Sequence, residues 1–313
     1  MWYHTLNEAL RCQFGGKVYK LALDGGMGCP NRDGTCGTRG CIFCSEQGSG
    51  DFAAPHCADL AAQLAQAKAR VARKAPDARY IAYFQSFTNT YAPTAYLEAL
   101  FSAAMAPPEI VALSVATRPD CLPPETVALL ARLNRVKPVW VELGLQTIYD
   151  ETARYIRRGY ALPVFEDAVA RLKAAGLTVI VHQILGLPGE TTAQMRQTTA
   201  YIAHAGVGGI KLQLLHVLEG TDLAADWRAG RVPVLTLEKY IQLLCDCVRL
   251  LPPEMVIHRL TGDGPKRLLL APQWSGDKKR VLNAIRQEFI RQDVCQGQWF
   301  QGKPPEPPAG SDA

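Results

Sequence analysis

Four cysteines within sixteen residues are the part of this 313-residue chain best equipped for chemistry: Cys29-Pro-Asn-Arg-Asp-Gly-Thr-Cys36-Gly-Thr-Arg-Gly-Cys41-Ile-Phe-Cys44. The C-x2-C pair lets two thiolates reach one metal centre from a tight turn. Cys29 can close the site across a loop whose glycines allow the chain to wrap. Three chemistries fit these residue types. A structural zinc site would use all four thiolates tetrahedrally. A conventional four-thiolate iron–sulfur cluster would also use all four. A three-thiolate [4Fe-4S] cluster on Cys29, Cys41 and Cys44 would leave one iron open to a ligand.

The elements around the loop must position it. Strand-like and helix-like segments alternate along the chain. Strands are expected at 18–24, 79–84, 110–116, 139–145, 177–185 and 210–217, with a seventh candidate at 255–260. Helices are expected at 59–74, from Thr94 through Phe101, and at 124–136, 164–175, 191–205, 236–251 and 278–292, from 3.6-residue apolar spacing and from stop signals such as Gly176 and Gly206. Six successive βα units imply a parallel sheet with right-handed crossovers, either doubly wound or rolled into a full or partial barrel. In both, chemistry gathers at the C-terminal ends of the strands. The unusual loops at 25–49, 85–91, 117–121 and 186–190 all follow strands. That placement makes the cysteine loop part of an active site rather than a structural staple, and favours the three-thiolate cluster.

Composition agrees with a packed globular chain. The chain is 48% hydrophobic and 20% charged, which argues against disorder and provides for one large or two smaller cores. No apolar run reaches the length of a membrane span, and residues 1–11 carry Asn7 and Glu8 where a secretory signal would be apolar. A cytoplasmic protein follows, which argues against disulfides, and the clustering of four of the ten cysteines then points to metal or an iron–sulfur cluster.

The order and wording of the motifs go further. Cys29-Pro-Asn-Arg-Asp-Gly, Thr117-Arg-Pro-Asp-Cys121, Glu142-Leu-Gly-Leu-Gln146, Gly186-Leu-Pro-Gly-Glu190 and His258-Arg-Leu-Thr-Gly-Asp263 follow successive strands. With them the chain resembles the radical S-adenosylmethionine (SAM) enzymes over roughly residues 10–300. More narrowly it is similar to the YhcC/YtqA-type group, which shares the C-x11-C-x2-C spacing. That group is similar in turn to the radical SAM domain of the elongator catalytic subunit and to oxygen-independent coproporphyrinogen III oxidase.

The resemblance implies a partial (β/α)6 TIM-type barrel over 1–252, a basic C-terminal helical extension over 253–303 packed on it, and a disordered tail at 304–313. It implies a [4Fe-4S] cluster on Cys29, Cys41 and Cys44, with Cys36 outside the ligand set. It also implies SAM, cleaved to a 5′-deoxyadenosyl radical, and a low-potential electron donor of the flavodoxin or ferredoxin type. Carried over residue by residue, the SAM contacts fall on Ser86, Thr88, Gln146, Arg158, Gly186 and Leu187, with the Arg158 guanidinium apt for the methionine carboxylate. Two positions depart from the pattern. An acidic residue common on the third strand is Ala116 here, and one on the fifth strand is His182.

The substrate is less constrained. The elongator-like relatives act on the wobble uridine of tRNA. Residues 264–303 carry eight basic and three acidic residues, so this segment holds the chain's whole net charge of +5. Trp274, Phe289, Trp299 and Phe300, interleaved there, would suit base stacking. The coproporphyrinogen oxidase likeness allows a small metabolite or porphyrin-like substrate instead, and a zinc-stabilised nucleic-acid-binding module is the non-enzyme reading. Cys245 and Cys247, two apart on a helix, read as core residues. Cys121, His216 and His258 lie near strand ends, where either a structural or a functional role fits.

Overall fold

A computed structural model describes residues 2–71 and 79–301. The expected tail at 304–313 and the end of the helix expected at 59–74 lie outside the described residues. Seven parallel strands form one sheet in the order β1 (Val18–Leu23), β2 (Arg79–Phe84), β3 (Ile110–Thr117), β4 (Val139–Gln146), β5 (Thr178–Leu185), β6 (Gly209–Leu214) and β8 (Val256–Arg259). A separate antiparallel pair joins β7 (Val217–Leu218) to β9 (Leu269–Ala271).

The sheet is rolled. Lys20 of β1 reaches Glu142 of β4 at 2.5 Å, and the Trp140 ring of β4 meets the His258 ring of β8 at 5.6 Å. Each pair is three places apart in the sheet, which in a flat sheet would separate them by about 14 Å. Helices α2 (Leu60–Ala69), α3 (Thr94–Met105), α4 (Pro124–Asn134), α6 (Leu162–Ala174), α7 (Thr192–His204) and α9 (Leu237–Leu250) follow successive strands and cover the outer face. Their buried residues, such as Leu97, Phe101, Leu129, Phe165 and Leu244, share one core with the outward residues of the strands. The architecture is the expected α/β partial barrel.

The roll does not close by strand pairing. Between β8 and β1 sits the N-terminal segment: Ile257 donates its N–H to the His4 carbonyl at 2.9 Å, and Thr5 bridges Ile257. Thr5 then starts α1 (Leu6–Phe14) through a capping box with Glu8. The apolar side of α1, Leu6, Leu10 and Phe14, packs with Val18 beneath Ile81, Ala112, Trp140 and Ile180, one inward residue from each of β2 to β5. The helix therefore plugs the N-terminal end of the barrel.

Several elements depart from the sequence expectations. The strand expected at 210–217 stops at Leu214, and its last residue belongs to β7. The helices α1, α5 (Asp150–Tyr155) and α8 (Asp222–Arg228) were not anticipated; six to nine residues give too few turns for a clear apolar period. β8 pairs with β6, so the segment beyond residue 252 supplies a strand of the barrel sheet as well as the terminal helix α10 (Lys278–Arg291).

The aromatic residues expected to stack bases are instead largely structural. Phe289 lies on the buried face of α10, Trp274 donates to the Leu235 carbonyl at 3.0 Å, Trp299 covers the Arg249 guanidinium at 4.8 Å, and Phe300 stacks on His204 at 5.0 Å. They weld the extension to α9 and α7.

Leu10 is the buried residue of the plug. Leu10→Ala removes its contacts with the barrel floor and leaves a hole there, so it should destabilise the protein by about 2–4 kcal/mol in urea unfolding. A loss below about 1 kcal/mol would show that α1 is peripheral.

Candidate active site

One cavity of about 580 Å³ runs from the loops above the strand tops down to Leu6 and Leu10 of α1. Cys29, Cys41 and Cys44 line its upper wall. Cys36 does not; it faces a separate surface groove with Thr35, Tyr91 and Cys121. The Cys121 thiol is pushed up to about 12 by burial and is absent from the main cavity wall. Cys245 and Cys247 are buried in the core, as expected.

The cysteine loop is held by a second turn of chain, 120 residues away. Asn31 donates to the Arg157 carbonyl at 2.7 Å and, at 3.4 Å, to the Cys41 sulfur. Gly40 donates back to the Asn31 carbonyl at 2.7 Å, and Ile42 to the Ile156 carbonyl at 3.2 Å. The turn after α5 approaches so closely that a Cβ on Gly159, at φ +84°, would stand 2.5 Å from the Asn31 side-chain oxygen. Asp222 of α8 pairs with both Arg39 and Arg157, tying the loop to its neighbour from outside.

The donor set suits a cluster. A cluster binds each thiolate to a different iron, so three thiols on one wall are the appropriate arrangement. The Cys41 thiol donates to the Arg157 carbonyl at 3.5 Å, and Cys44 lies 3.8 Å from the Ser49 hydroxyl. The neighbouring Cys44 thiol brings the Cys41 thiol down to about 7, and Cys41 and burial raise Cys44. Arg118 and Arg157 add positive charge near Cys41.

The residues expected to touch SAM divide. Thr88 and Gln146 line the cavity beside the cysteines, with Gln146 at φ +63° where β4 ends. Arg158 also lines it, but as a fully buried strut rather than a surface arginine. Its Nη1 donates to the Leu145 and Thr147 carbonyls at 3.1 and 2.6 Å, and its Nε to the Tyr160 carbonyl at 2.9 Å. Its Nη2 has no hydrogen-bond partner and lies 3.6 Å from Asp150. Ser86, Gly186 and Leu187 are not brought to the cavity. Ser86 packs against Gly50, Gly186 against Leu235, and Leu187 is buried with Ile42 and Ile184.

The inner layer was missed. Glu142, wholly buried at mid-strand, accepts from Lys20 at 2.5 Å, Ser114 at 2.6 Å, His182 at 2.7 Å and Lys211. Lys211 also donates to the Tyr83 hydroxyl at 2.9 Å. Burial opposes ionisation of Glu142, but Lys20, Lys211 and His182 hold it well below the carboxylate range. Burial brings His182 down to about 4 and Lys211 down to about 7. Arg118 was quoted only as part of a motif. It forks onto Asp120 at 2.7 and 2.9 Å and donates to the Arg158 carbonyl at 2.9 Å, beneath the cysteines. The available signal was a lone charged residue in each of three apolar strands, since both faces of such a sheet are covered.

A rolled parallel sheet whose first strand leads into a three-thiol loop over a charged cavity defines a (β/α)-barrel enzyme with its chemistry at the strand tops. The chain belongs to the radical SAM superfamily: that family's model matches residues 28–202, and the Radical_SAM C-terminal domain model matches residues 207–291. It is a radical SAM enzyme of the YhcC/YtqA type. It is 46% identical over 299 residues to the uncharacterized protein YtqA of Bacillus subtilis, covering 96% of this chain and 93% of that one. It is 27% identical over 183 residues to a tRNA uridine(34) acetyltransferase of Methanocaldococcus jannaschii, covering 58% of this chain and 32% of that protein. Among solved structures it superposes on the archaeal Methanocaldococcus infernus Elp3 with a TM-score of 0.67, at 17% identity, over 93% of this chain and 69% of that one. No helix among the described residues is long and apolar enough to cross a membrane.

Replacing Arg158 by Met removes three carbonyl ties beneath the cysteine loop. We expect a loss of about 2–4 kcal/mol in unfolding stability. A variant as stable as wild type would reassign Arg158 from strut to ligand contact alone.

Proposed function

We propose that this enzyme holds a [4Fe-4S] cluster on Cys29, Cys41 and Cys44, binds SAM beside Thr88, Gln146 and Arg158, and acts on a base of tRNA, the wobble uridine. Cluster and SAM together supply a hydrogen-abstracting carbon radical, fed by one electron from a low-potential flavodoxin- or ferredoxin-type donor. The protein's part is to bind, orient and exclude water. Phe43, Phe87 and Ile184 give the upper cavity apolar walls, and Phe87 is fixed there by a backbone bond to the Gly48 carbonyl at 2.9 Å.

The observation that carries the RNA reading is the position of the exposed cations. Gly262, Asp263, Gly264 and Pro265 line the cavity, and Lys266 and Arg267, the next two residues, are exposed. Lys278, Lys279 and Arg280 continue at the exposed start of α10. Lys278 pairs with Asp263 at 2.7 Å, which leaves Lys266, Arg267, Lys279 and Arg280 without salt bridges among the described residues. A phosphate backbone crossing this rim would bring a flipped base to the mouth of the barrel. The tRNA uridine acetyltransferase relative adds support over a little more than half the chain.

Two measurements test this. Serine at Cys29, Cys41 or Cys44 should abolish iron retention after anaerobic reconstitution, whereas serine at Cys36 should leave it near wild type. Equal loss in the Cys36 variant would refute the ligand set. Wild-type affinity for tRNA should fall steeply with salt. The Lys266→Ala/Arg267→Ala double variant should flatten that slope by about 1.4–1.8 in log–log units, two contacts' worth. Weak, salt-insensitive binding by both proteins would move the substrate to a small metabolite.

A further inference from the structure

Below the thiols, at mid-strand depth, the cavity wall changes character. We infer that Lys20 and Lys211 form a receptor for a carboxylate borne by the part of the substrate that enters the barrel. The inference rests on the proposed reading only in that the substrate occupies this cavity.

Charge comes first. Below the loops, the ionisable side chains lining the barrel interior are Tyr19 and Lys20 of β1, Tyr83 of β2, Glu142 of β4, His182 of β5, Lys211 of β6, and His258 and Arg259 of β8, with His216 and Asp263 from the adjoining loops; the cavity's other charged residues, Arg32, Asp51, Arg118 and Arg158, stand on the loops above the strand ends. Burial keeps His182, His216 and His258 neutral and Tyr83 protonated. Arg259 shares Asp263 with Lys278, at 3.2 and 2.7 Å, so neither cation needs an acceptor from the barrel interior. Below the pH of about 7 to which burial brings Lys211, two lysines then face one carboxylate, Glu142, and one positive charge is left over. An unmatched cation in a buried cavity is costly, so the site is electrostatically incomplete without an anion.

Donors tell the same story. An ammonium carries three N–H bonds. Lys20 directs one, to Glu142 Oε1, and Lys211 two, to Glu142 Oε2 and Tyr83. Three N–H bonds on the cavity wall are therefore unused. Among the described residues no oxygen or nitrogen acceptor takes them; Lys20 lies over the Tyr83 and Trp140 rings at 4.6 and 5.4 Å, and the neighbouring His258 Nδ1 and His216 Nε2 are also buried without partners. The two ammoniums flank opposite oxygens of one carboxylate, a spacing that a second carboxylate could bridge from the cavity side. The surplus of a single charge favours a monoanion; a phosphate dianion would overfill it. The depth matters as well. Both lysines are the third residue of their strands, whereas the thiols, Thr88 and Gln146 stand at or beyond the strand ends.

The test is calorimetric titration of the full chain in chloride buffer at pH 6.5 with acetate, acetamide and inorganic phosphate. The proteins are wild type, Lys20→Met, Lys211→Met and Glu142→Gln, with circular dichroism to establish folding. Acetate should bind wild type and acetamide should not. Each lysine variant should weaken acetate by about tenfold or more, as for loss of a charge-assisted hydrogen bond. Glu142→Gln keeps shape and removes the competing charge, so it should tighten acetate severalfold. If the lysines serve only to neutralise Glu142, that variant will bind acetate no better than wild type, and the receptor is refuted. Indistinguishable acetate and acetamide would also refute it, and a preference for phosphate would overturn the carboxylate assignment. Should Lys211→Met fail to fold, Lys20→Met and Glu142→Gln decide. Iron content and SAM cleavage of the wild type, measured in parallel, separate failure of this receptor from failure of the cluster assignment.

Discussion

The buried carboxylate of Glu142 is the constraint around which the barrel is organised. Moving an ion of that size out of water costs several kcal/mol even after relaxation, and the cost is offset only by well-placed partners. Those partners come from four other strands: Lys20 on β1, Ser114 on β3, His182 on β5 and Lys211 on β6. They can reach one carboxylate only if the sheet is rolled. Apolar burial on the outer face would be compatible with a flatter sheet; the inner charge cluster is not. The hub thus adds a directional requirement to a core whose packing is otherwise non-directional. It also fixes the depth at which charge meets the cavity.

The upper layer has its own logic. A loop carrying three thiols needs a fixed shape before any cluster is bound, and it has no regular secondary structure of its own. Its order comes from side chains that satisfy backbone groups across the barrel mouth. Asn31 ties it to the turn after α5, Arg32 donates to the Ser45 carbonyl at 2.6 Å, and Arg118 and Arg158 brace that turn from below. Buried arginines are suited to this work because a guanidinium stays charged and offers five donors in one plane. Arg158 serves as part of the frame whatever it contributes to ligand binding. That dual position explains why it is buried rather than solvated.

The parallel sheet was legible in the sequence because period and stop signals are local. Each of the six expected strands is present within a few residues, and the seventh candidate joins the same sheet. The cysteine site was legible because thiol spacing is explicit. What was not legible depends on contacts between distant residues. Nothing local says that Lys20, Glu142 and Lys211 meet, although a lysine in Val-Tyr-Lys-Leu-Ala-Leu and another in Gly-Ile-Lys-Leu-Gln-Leu each require a buried partner. The plug α1 had a local sign, the Thr5–Glu8 capping box, but too few residues to show its apolar side. The C-terminal aromatics misled for the opposite reason: tryptophan and phenylalanine among cations look alike whether they stack bases or cover a neighbouring helix.

The two departures from the family pattern become intelligible in register. Ala116 of β3, where an acid is common, pairs in the sheet with Glu142 of β4, and both line the cavity. Neighbouring strands are about 4.8 Å apart, so a carboxylate on β4 stands beside the place that one on β3 would take. His182, the second departure, donates to the same carboxylate. A negative charge at this level is therefore supplied once, from β4, instead of from β3 or β5. With only that one carboxylate among them, Lys20 and Lys211 retain unused donors. A barrel with acids on all three strands would leave those lysines saturated and its interior without a surplus charge.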